Sequence, residues 1–149
     1  MYKRIMVAID DSFANGQTLP AAIELAALSG ARLALCHALD QTLFAQRRAE
    51  ALLSSSVSQA EQNLRSGAQE FLDQAAALAR AAGVDVETRI IASEVKQVAD
   101  MLAMAAVDWQ ADLLVVGTRS HRGLERFFVD SVGERLVQKV KTSLRVVRD

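Results

Sequence analysis

The stretch Asp112-Leu113-Leu114-Val115-Val116-Gly117 constrains this chain more than any other. Four aliphatic residues stand side by side between an acid and a glycine, with no alternation of apolar and polar positions, so a strand here has to be covered on both faces. Sheets covered on both faces are built from parallel strands joined by helices. Ile5 to Ile9 and Leu33 to Leu39 carry the same signature, and Val84 to Ile91 and Leu144 to Val147 complete five strand segments. Between them apolar residues recur at helical spacing. Leu19, Ala22, Ile23, Ala26 and Ala27 make one stripe, with Pro20 in its first turn and Ser29-Gly30 at its end. Ser58 and Glu61 have capping-box spacing and open a second helix, whose face is Leu64, Ala68, Phe71, Ala75, Leu78 and Ala79 and which stops near Gly83. Ser93 caps a third helix with Val95, Val98, Ala99, Leu102 and Ala106 on one side, and a fourth runs from about Ser131 to Val140. Residues 40–56 read as loop, helix or both.

The order β-α-β-α-β-α-β-α-β predicts one α/β domain over residues 1–149, a doubly wound sheet with helices on both faces. Composition agrees: 51% hydrophobic against 23% charged residues excludes a disordered tail. A formal net charge of −1 provides no positive field for generic nucleic-acid binding. No apolar run approaches membrane-spanning length, so no membrane is expected. A lone cysteine, Cys36, makes neither an internal disulfide nor a Cys-rich zinc site, and the expected location is the cytoplasm.

In such sheets ligands bind beyond the carboxyl ends of the strands, which directs attention to the residues after Ile9 and Val116. Asp10-Asp11-Ser12 comes after the first. Its carboxylates suit ribose hydroxyls or a cation, and equally suit the satisfaction of turn N–H groups. After the second come Gly117-Thr118-Arg119-Ser120-His121-Arg122-Gly123 and then Asp130-Ser131-Val132-Gly133-Glu134. Glycines after a buried strand let backbone N–H groups approach an anion, and a helix N-terminus adds favourable dipole, although the second segment is also an ordinary capping box. The pattern is neither GxxxxGK[ST] nor GxGxxG. No nucleophile and base stand together, and no helix offers two metal ligands at i and i+4. Cys36 and His37 read as residues of a packed strand, His121 as a solvated loop residue, and Trp109, Met101 and Met104 as packing. A receiver domain would use Asp10, Asp11 and Thr118, but it needs a phosphoacceptor Asp where the third strand ends Ile90-Ile91-Ala92-Ser93.

Through VAIDDS, ADLLVVGTRSHRG, DSVGERLVQKV and LRVVR, the sequence resembles the universal stress protein family over essentially its full length. The family's motif has a glycine after the fourth strand, another three residues on, and a third ten residues beyond, followed by Ser or Thr. Gly117 and Ser131 match it, while Ser120 and Asp130 stand at the other two glycine positions. The resemblance implies a five-stranded parallel sheet in the order 3-2-1-4-5 and a homodimer formed through the last strand at the sheet edge. It also implies a non-enzymatic stress-response module that acts on a protein partner, with a degenerate site for ATP or another adenine nucleotide. The alternative is a member that binds ATP and works as a nucleotide-dependent switch. The implied site comprises Ala8, Asp10 and Leu39 from the first two strands, with Val116, Gly117, Arg119, Ser120 and Gly123 after the fourth. Asp130, Ser131 and Val132 complete it, Asp10 meeting adenosine and the 117–132 segment the phosphates.

A carboxylate at Asp130 facing phosphate at ~4 Å costs on the order of 4 kcal/mol at an effective dielectric near 20, before screening. Asp130→Gly should therefore tighten ATP more than adenosine, and Ser120→Gly should add to the gain by freeing the loop backbone. Calorimetry on the wild type and the double mutant checks this, with folding measured alongside because Asp130 near a helix start is worth about 0.5–2 kcal/mol. No gain in ATP affinity in a well-folded double mutant refutes it.

Overall fold

In a computed structural model, which describes residues 1–40, 54–93, 97–118 and 140–148, the unalternated runs form the middle of a parallel sheet. The elements are β1 (Arg4–Ala8), a 3-10 turn (Phe13–Asn15), α1 (Thr18–Ser29), β2 (Arg32–Asp40), α2 (Ser54–Ala81), β3 (Val86–Ser93), α3 (Val98–Asp108), β4 (Leu113–Gly117) and β5 (Ser143–Val147). The sheet order is β3-β2-β1-β4-β5 with every pairing parallel, as the resemblance implies. Among the described residues no helix is long and apolar enough to cross a membrane.

Strand pleating sends alternate side chains to opposite faces, and here it divides the apolar runs into two cores. Ile5, Val7, Leu33, Leu35, Leu113 and Val115 face α1 and α2, where Leu19, Ala22, Leu72, Ala75 and Ala79 meet them. Met6, Ala8, Ala34, Cys36, Leu114 and Val116 face α3, which meets them with Ala99, Leu102, Ala105, Ala106 and Trp109. Larger side chains fill the first face. Alanines stand on both sides of the second, with Trp109 among them.

Helix ends explain where the expected boundaries move. Gly30 takes a left-handed φ of 65°, and Ala31 N–H returns to the Ala26 carbonyl at 3.0 Å, closing α1 as predicted. Gly83, at φ 77°, does the same for α2, with Val84 N–H on the Ala79 carbonyl at 3.0 Å. Because Val84 belongs to that closure, β3 starts at Val86 and runs to Ser93, two residues later than predicted at each end. Ser93 is the last residue of β3, opposite Asp40, and the N-cap of α3 is Gln97, not the predicted Ser93, without a side-chain cap bond. Nor does Ser58 start α2. The helix already includes Ser54 to Val57, which contain neither Gly nor Pro to break it, and a capping-box pattern marks competence to cap rather than an end. The buried stripe of α2 is Ala68, Leu72, Ala75, Ala76 and Ala79, leaving Leu78 53% and Leu64 41% exposed, contrary to the predicted face. Leu78 sits about 100° around the helix from Ala79, enough to turn it outward. Val95 and residues 131–139 of the predicted fourth helix lie outside the described residues, as does 41–53; Val140 packs against the α3-facing core.

At the amino ends of the strands a polar network ties the layers together. The Asp112 carboxylate accepts the N–H groups of Lys3 at 2.8 Å and Arg4 at 3.1 Å, bridging β1 and the start of β4. The Arg4 guanidinium stacks 4.0 Å from the centroid of Trp109, and its Nε donates to the Trp109 carbonyl at 2.9 Å. Trp109 Nε1 donates in turn to Glu87 at 2.9 Å, and Glu87 also accepts from Arg32 at 3.1 Å and Arg89 at 3.3 Å. Burial pushes the Glu87 carboxyl upward, but the hydrogen bonds from Trp109, Arg89 and Arg32 outweigh it and hold the group below the ordinary glutamate value. Glu87→Gln should cost about 1–2 kcal/mol at neutral pH, the scale of hydrogen bonds to a charged group. A depressed acid contributes its stability above the unfolded value near 4.5 and loses it as pH falls through the folded value. Urea unfolding of both proteins from pH 7 into acid should show the gap closing; a gap unchanged in acid refutes the assignment.

Candidate functional site

The opposite, carboxyl ends of the strands splay apart. Pairing between β1 and β2 ends with Ile9 N–H on the Cys36 carbonyl at 2.9 Å, while β2 continues beside β3 as far as the Asp40–Ser93 pair. The Ile9 carbonyl accepts instead from Nδ1 of His37 at 2.8 Å. Chain direction then changes at Asp10, whose Oδ1 accepts the Ser12 N–H at 2.9 Å and the Ser12 hydroxyl at 2.5 Å, an Asx turn that leads into the 3-10 turn. Asp10 thus has the turn-forming role that the sequence allows.

Helix α2 closes the gap from the side. Phe71 takes the His37 ring edge-on at a centroid distance of 4.9 Å and lies 6.4 Å from Phe13. Between these elements is a cavity of about 410 Å³, in the range of small-molecule sites, lined by Asp10 and Asp11, by His37, Ala38 and Leu39 of β2, and by Asn63, Leu64, Gly67, Ala68 and Phe71 of α2. Gly67 is a helix-interior glycine, and a Cβ added there would meet nothing within 4 Å. Among the described residues the charged groups lining the cavity are the carboxylates of Asp10 and Asp11, and their charge favours a neutral or positively charged group over phosphate.

Of the residues singled out from the sequence, Asp10 and Leu39 meet at this cavity. Ala8 and Val116, 8% and 1% exposed, are packed in the α3-facing core and do not line it. Gly117 is buried at the end of β4, and Thr118 N–H donates to the Val147 carbonyl at 2.9 Å. Arg119, Ser120, His121, Gly123, Asp130, Ser131 and Val132 lie outside the described residues. Cys36 is the packed strand residue it was expected to be: burial pushes its thiol up to about 12 against the opposing charge of Arg89, leaving it unreactive. His37 is more than that. It shares parity with Leu33 and Leu35 but falls beyond the last residue of β2 that pairs with β1, and a polar side chain at that spot was the available signal. Phe71, read as core, also forms cavity wall. Among the described residues no cluster of three metal-ligating side chains occurs.

Known proteins share this architecture. The model of the universal stress protein family matches residues 1–148. A putative universal stress protein of Staphylococcus aureus (strain USA300) is 28% identical over 148 residues, covering 99% of this chain and 84% of that protein. A crystal structure of a universal stress protein family member from Burkholderia pseudomallei superposes with a TM-score of 0.74 at 28% identity, covering 98% of this chain and 96% of that one. The universal stress protein of Archaeoglobus fulgidus in complex with dAMP superposes with a TM-score of 0.64 at 22% identity, covering 98% of each chain.

Proposed function

The chain belongs to the universal stress protein family, and from that premise we propose that it is a cytoplasmic, non-enzymatic stress-response module whose crevice holds the nucleoside half of an adenine nucleotide. The observation that carries the reading is the cavity at the ends of β1 and β2, to which both Asp10 and Leu39 contribute. Its acidic lining suits ribose hydroxyls and leaves phosphate to the segment after Gly117. A protein of the same fold in complex with dAMP supports the ligand class. At the phosphate end Ser120 and Asp130 replace glycines, which makes the site degenerate toward ATP.

We also propose that the protein is a homodimer through β5. That strand pairs with β4 at the sheet edge and leaves Val146 43% exposed, a surface a second copy can complete. Sedimentation should give twice the 16.1 kDa chain mass at micromolar concentration, and a single monomeric species refutes it.

Calorimetry with ATP, AMP and adenosine in the presence of Mg²⁺ tests the binding reading. Asp10→Ala should weaken adenosine and ATP alike by about 1–3 kcal/mol. Asp10→Asn, which keeps an acceptor for Ser12, separates that loss from collapse of the turn. Equal binding by wild type and Asp10→Ala removes Asp10 from the site, and strong ATP binding by the wild type favours the nucleotide-dependent switch instead.

A further inference from the structure

His37 carries chemistry that the nucleoside reading does not use. A carbonyl oxygen can only accept, so the ring nitrogen 2.8 Å from the Ile9 oxygen, Nδ1, bears a hydrogen. In the neutral ring the other nitrogen, Nε2, is then an acceptor. The strand end sets the tautomer, independently of anything in the cavity. Phe71 adds the edge-on contact at 4.9 Å, so the ring is held at two points. Among the described residues Nε2 has no hydrogen-bond partner, and the ring lines the cavity. Of the other polar residues in the described lining, Asp10 and Asp11 are carboxylates, and Asn63, whose Oδ1 accepts from Gln59 at 3.0 Å, adds one amide donor, so acceptors predominate. Such a wall favours a ligand edge that carries N–H and disfavours one that presents a carbonyl oxygen.

We propose that His37 is a specificity-determining residue, accepting through Nε2 a hydrogen bond from the exocyclic amino group of a bound base, so that the cavity selects a 6-amino purine over a 6-oxo purine. The proposal rests on the nucleoside reading of the crevice. It differs from that reading in what it demands: a difference between two ligands of nearly equal shape, set by one side chain of β2.

Adenosine and inosine, titrated calorimetrically at pH 8, are the probes. The wild type should prefer adenosine roughly tenfold, the scale of one hydrogen bond gained against one mismatched acceptor pair. His37→Asn places an amide nitrogen near the position of Nδ1, which keeps the bond to Ile9, but has nothing at Nε2; it should lose adenosine affinity until the two nucleosides bind alike. His37→Gln reaches the Nε2 position with an amide that turns either end inward. It should keep adenosine and gain inosine, an outcome that a merely structural role for His37 would not produce. Circular dichroism and thermal unfolding verify that the variants fold, and the Gln arm decides alone if the Asn variant does not. Equal binding of the two nucleosides by the wild type, or a preference retained by a folded variant, overturns the His37 contact and leaves the nucleoside reading standing. A wild type that binds neither nucleoside overturns both.

Discussion

Covering β1 and β4 on both faces is the requirement that dictates the rest of the arrangement. Ile5, Met6, Val7, Leu114 and Val115 are all fully buried, and successive residues point to opposite sides, so no single layer of helices could remove them from water. At about 25 cal/mol per Å² of apolar surface, leaving one such face wet would forfeit roughly 1.5–3 kcal/mol for each large side chain, several times over. A net stability of about 5–15 kcal/mol has no room for that. The chain therefore lays α1 and α2 over Ile5, Val7, Leu33 and Leu113 on one side, and α3 over Met6, Ala34 and Leu114 on the other. Parallel pairing is the result, because each helix returns the chain to the starting edge of the sheet.

The same requirement made the fold legible in the sequence. Unalternated runs such as 113–116 have one stable use, and Gly30 and Gly83 punctuate the helices on the same terms in sequence and in space. The features that escaped depend on neighbours distant in the chain. The stripe of α2 could be read within a rotation of one residue, and only the sheet beneath decided that Leu72 enters and Leu78 does not. Ser93 has the chemistry of a cap, but it ends β3 opposite Asp40, and the N-cap of α3 falls four residues later at Gln97. Of the cavity taken as the candidate site, the position beyond β1, with Asp10 and Leu39, comes from topology and resemblance. The wall contributed by α2 comes from neither, since nothing local to Asn63, Gly67 or Phe71 reveals that β1 and β2 separate beside them.

The polar network and the candidate site lie at opposite ends of the same strands. Arg4, Trp109, Glu87 and Asp112 fasten the amino ends, whereas His37, Asp10 and Phe71 gather at the carboxyl ends. β1, five residues long, sets them roughly 17 Å apart at the usual rise per residue. Substitutions more than about 7–10 Å apart with no shared partner tend to act additively, so the two groups can change with little mutual interference.

Gly67 lies where that separation is tested. In the interior of a helix a glycine forgoes roughly 0.5–1 kcal/mol relative to alanine, and here a methyl group would encounter no atom within 4 Å. Packing therefore gives no reason for the glycine; the space beyond it is the cavity itself. A chain selected for robustness alone would fill that position at once. Left bare, the position keeps the α2 side of the cavity open at a cost in helix propensity.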